Sequence, residues 1–252
     1  MLNWDGLHAA RFELRKAWQR ARPFPHLVIK NLFQPDALAE LQATFPEPNA
    51  LWADRRHLHS KKHTVNDLTL MPAGHIEAIA ELNGAAFLGY LESLTGMTGL
   101  EADPHLYGGG LHVTQRGGFL DIHVDFQQSN LMPGRTRALN LLVYLTKDYQ
   151  PEWGGGLQLC EMDEPGHRFP RILRTIYPVA NRAVLFATST DSWHGHTDKW
   201  ASETNRISMA MYYYRAGTEG KLRTTDYRPL EGQMYKRIRK TAGRVLRRVG
   251  LR

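Results

Sequence analysis

Two short segments of the chain hold residues that could do chemistry together. The first reads Leu120-Asp121-Ile122-His123-Val124-Asp125-Phe126, and the second Trp193-His194-Gly195-His196. Arg206 follows in the apolar run Asn205-Arg206-Ile207-Ser208-Met209-Ala210. Side chains two apart on an extended chain point the same way, so His123 and Asp125 can reach one metal ion without bending the backbone. A His-x-Asp pair, a distant histidine and an arginine in an apolar strand are the parts of a non-haem iron site. Two imidazoles and one carboxylate cover one face of Fe(II) and leave the other face open. Both His194 and His196 are candidates for the distal ligand. Arg206 suits a buried carboxylate, because its planar fork binds both oxygens and keeps its charge. On a strand, Arg206 and Ser208 share a face.

Further motifs follow in a fixed order. They are Gly108-Gly109-Gly110-Leu111-His112, then Arg137-Ala138-Leu139-Asn140-Leu141-Leu142-Val143-Tyr144-Leu145, then Trp153-Gly154-Gly155-Gly156-Leu157. Asn181-Arg182-Ala183-Val184-Leu185-Phe186 precedes the distal histidines, and Arg206-Ile207-Ser208 closes the series. With the His123-Val124-Asp125 pair, this text resembles the Fe(II)/2-oxoglutarate-dependent dioxygenases of the prolyl-4-hydroxylase-like branch. The N-terminal Pro23-Phe24-Pro25-His26 is similar to bacterial members.

The resemblance implies a mainly β chain with flanking helices, built on a double-stranded β-helix or jelly-roll core. It implies iron held by His123, Asp125 and His194, with 2-oxoglutarate as co-substrate and dioxygen as oxidant. It also admits ascorbate as a reductant. Arg206 would grip the far carboxylate of 2-oxoglutarate, with Tyr144 donating to the same group and Ser208 beside it. His194 is preferred to His196 because the family's ligand is usually followed by glycine or a small polar residue. His196 would then contact the substrate or support the ligands, and His112 and His105 would be packing or supporting groups. The reaction implied is hydroxylation of an unactivated C–H bond, coupled to decarboxylation of 2-oxoglutarate to succinate. Halogenating relatives carry Ala or Gly where Asp125 stands, so Asp125 argues for hydroxylation. The alternatives are a non-catalytic jelly-roll binding protein and an iron oxygenase that does not use 2-oxoglutarate. Arg206 weighs against the second.

Composition bounds the rest. A chain of 252 residues suits one domain with a sizeable core. The expected organisation is a catalytic domain over 1–217, helical over 1–100 and jelly-roll over about 105–215, then a basic extension over 218–252. No stretch of about 18 apolar residues suggests a membrane span. Met1-Leu2-Asn3-Trp4-Asp5-Gly6 lacks the features of a secretory signal. Cys160 is the only cysteine, which excludes an intrachain disulfide and fits a reducing cytoplasm.

Helical spacing predicts a helix over 5–20, another opened by Pro35, and two more over 75–95 meeting at Asn83-Gly84. Residues 46–73 read as irregular and polar. His57, His59 and His63 lie there among Arg55, Arg56, Lys61 and Lys62, as a solvated or substrate-facing loop. Arg135, Arg137 and the basic loop over 55–63 could meet an acidic or carrier-bound substrate, but they read first as solvated surface. From 105 onward, short strands are separated by glycine and proline breaks.

The net charge is +7, yet residues 235–252 alone carry eight cations and no acid. Ile238, Ala242, Val245 and Val249 form one helical stripe there. This tail reads first as a packed or solvated helix and second as a contact for an anionic membrane surface or an acidic partner. Nucleic acid ranks last, because no aromatics alternate with the cations beyond Tyr235. The substrate reads only as a small molecule, saccharide or peptide, and oligomeric state has no signal in the sequence.

Overall fold

The computed structural model of the protein describes residues 1–162, 169–217 and 224–233. Its helices are α1 (Trp4–Arg20), α2 (Pro35–Ala43), α3 (Ala73–Leu82) and α4 (Ala85–Thr95). Asn3 caps α1 by accepting a hydrogen bond from the Gly6 N–H at 3.1 Å. Pro35 opens α2, and Gly96, at φ 74°, ends α4 in the left-handed conformation that favours glycine.

The early strands are β1 (His26–Lys30), β2 (Ala53–Asp54), β3 (Ser60–Lys61), β4 (His63–Val65) and β5 (Glu101–Ala102). The core strands are β6 (Gly110–Thr114), β7 (Phe119–Val124), β8 (Arg135–Tyr144), β9 (Leu157–Met162) and β10 (Pro170–Ile176). They continue with β11 (Arg182–Ala187), β12 (Trp193–His196), β13 (Arg206–Ala216) and β14 (Asp226–Tyr227). The larger sheet runs β1-β11-β8-β13-β6-β4-β2, with β5 paired to β13. The smaller runs β10-β9-β12-β7-β14, with β3 paired to β7. From β6 onward the chain passes back and forth between the sheets, which is the jelly-roll arrangement expected.

The period of two decides what each face of the larger sheet meets. Leu111, Val113, Leu139, Leu141, Val143, Met209 and Met211 pack with Leu7, Leu41, Leu82, Phe87 and Leu91 of the helices. The alternate residues turn toward the smaller sheet. There Tyr144, Val184 and Phe186 meet Leu157, Leu159 and Ile176. Where this apolar contact stops, His112, Asn140, Ser208 and Tyr212 line an open cavity.

The stretch 46–73 is irregular over most of its length, but not throughout. It supplies β2 and β4 to the larger sheet and β3 to the smaller. These strands are two or three residues long, too short for alternation to register: β4 pairs with the edge of β6, β2 with β4, and β3 with β7. The chain beyond 218 returns to the smaller sheet, where β14 pairs with β7. The basic helix expected over 235–252 lies outside the described residues. Among the described residues, no helix is long and apolar enough to cross a membrane.

Candidate metal centre and its cavity

His123 and His194 are direct partners in the antiparallel ladder between β7 and β12, with ring centroids 4.3 Å apart. Each ring is fixed at Nδ1. That of His123 lies 2.9 Å from the Asp121 carbonyl oxygen, and that of His194 lies 2.8 Å from the Ser192 carbonyl oxygen. A carbonyl oxygen only accepts, so each Nδ1 carries the hydrogen and each Nε2 keeps a free lone pair. Asp125 follows β7 directly. Its Oδ1 is 3.5 Å from His123 Nε2, and its Oδ2 is 3.7 Å from His194 Nε2. One ligand atom from each of the three residues falls within 4.8 Å of the others, and all three residues are buried. The donor set is that of a two-histidine, one-carboxylate facial triad, so it fits a hard-to-borderline divalent ion such as Fe(II).

Supports surround the carboxylate. Asp125 Oδ2 accepts hydrogen bonds from Asn140 Nδ2 at 3.0 Å and from the Tyr212 hydroxyl at 3.2 Å. Burial disfavours the Asp125 charge, but the neighbouring His123, His194 and Arg137 hold its pKa well below the usual carboxylate range. Burial, with His123 beside it, lowers His194 to about 4, so the ring is neutral at pH 7, as a metal ligand must be.

The pairing of β7 and β12 shifts between His194 and His196. Gly195 permits this irregularity, since a Cβ there would stand 2.8 Å from the carbonyl oxygens of both Leu120 and Asp121. The shift brings Leu120 opposite His196 and leaves both histidines lining the cavity.

The buried Arg206 opens β13. Its Nε donates to the Gly155 carbonyl at 2.9 Å, and its Cζ stands 5.1 Å from the centre of the Tyr144 ring. Gly155 has φ 67°, and a Cβ there would come within 2.7 Å of Trp200 and 3.0 Å of Arg206 Cδ. The glycine run therefore makes the cradle that Arg206 lies in. The Tyr144 hydroxyl is buried with no partner of hydrogen-bonding geometry, although Arg206 is close enough to influence it electrostatically. An orphaned hydroxyl beside a guanidinium fits an absent carboxylate ligand. His123, Asp125, His194, Arg206, Tyr144 and Ser208 all line this one cavity.

His112 and His196 line it too. His112 Nε2 and His196 Nδ1 are buried without partners, and burial together with Arg206 and Lys62 pushes both rings well below their ordinary pKa. His105 and His63 do not line the cavity, whereas His57 does. His59 is neither solvated nor facing substrate. It stacks on Tyr227 at 4.6 Å, and its Nδ1 lies 3.0 Å from Asp121 Oδ2.

Arg137 is the clearest correction to the sequence reading. Far from being solvated, it is 1% exposed. Its Cζ lies 3.7 Å from the Phe126 ring centre and 3.6 Å from that of Tyr212, and its Nε donates to the Tyr214 hydroxyl at 2.8 Å. Asn140, Tyr212 and Tyr227 also belong to this cavity without having been singled out in the sequence, and Lys62, of the loop read as solvated or substrate-facing, lines it too. The Tyr212 and Asn140 positions were open to discovery, because each shares a strand face with a residue that was: Ser208 for the first, Tyr144 for the second.

Residues 109–214 match the family model described as the 2OG-Fe(II) oxygenase superfamily. A curated relative, the Mus musculus protein "Prolyl 3-hydroxylase OGFOD1", is 30% identical over 79 residues. That stretch is 31% of this chain and 14% of the mouse protein, so only a small part of the relative is matched. Among solved structures, the fold is similar to a Trichoplax adhaerens prolyl hydroxylase in complex with a hypoxia inducible factor peptide fragment. The TM-score is 0.53 at 16% identity, covering 85% of this chain and 94% of that one. It is also similar to the non-heme alpha ketoglutarate dependent epimerase SnoN from nogalamycin biosynthesis, with TM-score 0.56 and 16% identity over 90% of this chain and 88% of that one. At these identities the likeness is one of fold.

Proposed function

From the premise that the chain belongs to the 2OG-Fe(II) oxygenase superfamily, we propose that it is an Fe(II)- and 2-oxoglutarate-dependent dioxygenase that hydroxylates a substrate C–H bond. The observation that carries the reading is the convergence of three buried donor groups, His123, Asp125 and His194, with both imidazole Nε2 atoms free. When bound, iron and 2-oxoglutarate supply the oxidising power that puts one atom of dioxygen into the substrate and the other into succinate, with release of CO2.

The chain's own residues do the rest. His123, Asp125 and His194 would hold the metal. The backbone carbonyls of Asp121 and Ser192 fix both imidazole tautomers and orientations. Asn140 and Tyr212 occupy Asp125 Oδ2, which would leave Oδ1 free for a metal. Arg206, braced by Gly155, would take the far carboxylate of 2-oxoglutarate through its guanidinium, and the Tyr144 hydroxyl would donate to the same group. Ser208 lies two residues along the same face of β13. The substrate enters the remaining part of the cavity and is a small molecule, saccharide or peptide.

The test is aerobic incubation of the full chain with Fe(II) and 2-oxoglutarate across amino-acid, peptide and saccharide pools. The expected result is succinate release that rises with one pool, together with a product heavier by one oxygen atom. A metal-loaded chain that consumes no 2-oxoglutarate with any pool would overturn the proposal and favour a binding protein.

A further inference from the structure

The cavity holds more positive charge than the proposed co-substrate offsets. Its lining includes Arg55, Lys62, Arg135, Arg137 and Arg206, against one carboxylate, Asp125. Fe(II) and 2-oxoglutarate together bring no net charge. Arg135 is matched by Glu101 at 2.7 Å. Arg137 lies between two aromatic faces, and Arg206 is assigned to the co-substrate. That leaves Arg55 and Lys62.

These two stand opposite each other. The Arg55 N–H donates to the Lys62 carbonyl at 2.9 Å, continuing the ladder in which Ala53 faces Thr64 and Asp54 faces His63. Their side chains therefore leave the hairpin on the same face, toward the cavity both of them line. Like charges directly opposite on paired strands are destabilising. Neither has an acidic partner among the described residues: the Arg55 side chain donates only to the Thr64 hydroxyl, at 3.5 Å. Lys62 is half-buried, and burial lowers its pKa to about 8, with Arg206 and Arg55 adding to the effect and Asp125 opposing it. Arg55 is exposed, so the cost falls on the half-buried Lys62, a cation set beside a second cation, unless an anion arrives to meet them.

We propose that Arg55 and Lys62 seat an anionic group of the substrate, so that the enzyme acts on an acid carrying a carboxylate or phosphate. The inference rests on the functional reading above. It assigns the substrate two contacts. Arg55 offers its fork to two oxygens, and Lys62 offers a point charge deeper in the cavity. The rest of the substrate then extends toward the metal.

The test is a calorimetric titration at low salt of the full chain, loaded with Mn(II) in place of iron and saturated with 2-oxoglutarate so that Arg206 is occupied. Inorganic phosphate and acetate are the probes, in separate arms. We expect saturable binding of at least one, and the tighter arm identifies the group. Lys62→Gln and Arg55→Gln should each weaken it about tenfold or more, and Lys62→Arg should recover part of the loss. Without anion, Lys62→Gln should melt at a higher temperature than wild type, which separates lost binding from lost folding. No saturable binding of either probe, or binding indifferent to both Gln variants, overturns the proposal. No turnover is involved. A chain that consumes 2-oxoglutarate but fails this titration loses only the anion seat, and one that binds anions but never consumes 2-oxoglutarate loses only the oxygenase reading.

Discussion

Asn140 donates from Nδ2 to Asp125 Oδ2 at 3.0 Å, joining the larger sheet to the carboxylate that follows β7 of the smaller. The contact matters because Asp125 sits on the segment after a strand end, where nothing in the ladder fixes its rotamer. Asn140→Leu should therefore weaken metal binding by about 10- to 100-fold, the usual effect of losing a group that orients a ligand. Tyr212→Phe should act in the same direction, through the other hydrogen bond to Oδ2. Metal titration of the two variants checks this, and wild-type affinity in both would remove the assigned role.

Arg206→Ala should raise the requirement for 2-oxoglutarate far more than that for metal. Removing one partner of a buried charged pair costs about 3–5 kcal/mol, or a hundredfold or more in affinity. Arg206→Lys should rescue only partly, since a point charge replaces the fork. Equal 2-oxoglutarate affinity in wild type and both variants would mean that another cation, Lys62 being the nearest in chemistry, takes the carboxylate.

Gly195→Ala should disturb the metal site without touching a ligand. The added Cβ would press on two backbone carbonyls at 2.8 Å, and backbone cannot move aside as a side chain tip can. A stability loss of about 1–3 kcal/mol is expected from such crowding, together with weaker metal binding as the β7–β12 pairing opens. Unchanged melting and metal affinity would show that the ladder absorbs the methyl group.

Stability should fall in mild acid through a residue remote from the site. His75 of α3 is fully buried, with its ring 5.2 Å from that of Phe45, and burial lowers it to about 4. The unfolded chain titrates near 6.5. Between these values the unfolded state binds more protons, so stability is complete above about 6.5 and is lost as pH falls toward 4. His75→Leu should flatten the melting temperature profile across that window relative to wild type. An identical slope would assign the acid sensitivity to other groups.

Much of this was legible in the sequence, and the exceptions have physical causes. The metal-facing pair could be found because His123 and Asp125 lie two apart, and the helices because Leu7, Trp18 and Leu41 recur at helical spacing on buried faces. Arg137 was read as solvated because it carries a charge, and its burial depends on pairing between β8 and β13 that slips between Tyr213 and Tyr214, so that Tyr213 faces Leu139 and Tyr214 faces Arg137. Such a bulge turns the side chain to the face that counting by two does not give. Arg55 and Lys62 lie in a loop whose cations left solvent and substrate both open as readings, and the pairing of β4 with β6 and of β3 with β7 is what brings that stretch into the cavity wall. His59 and Tyr227 are brought together by separate strands, β3 and β14 flanking β7, a long-range relation with no local signature.

Metal binding to single-residue variants tests the central claim most directly. The full chain, purified without metal and titrated anaerobically with Fe(II), should bind one ion. His123→Ala, Asp125→Ala and His194→Ala should each abolish that binding while the fold survives, as judged by an unaltered circular dichroism spectrum. His196→Ala should keep it, since His196 lines the cavity outside the cluster of three. Iron bound at wild-type affinity by any of the first three variants, or lost on substitution of His196 but not His194, would contradict the account.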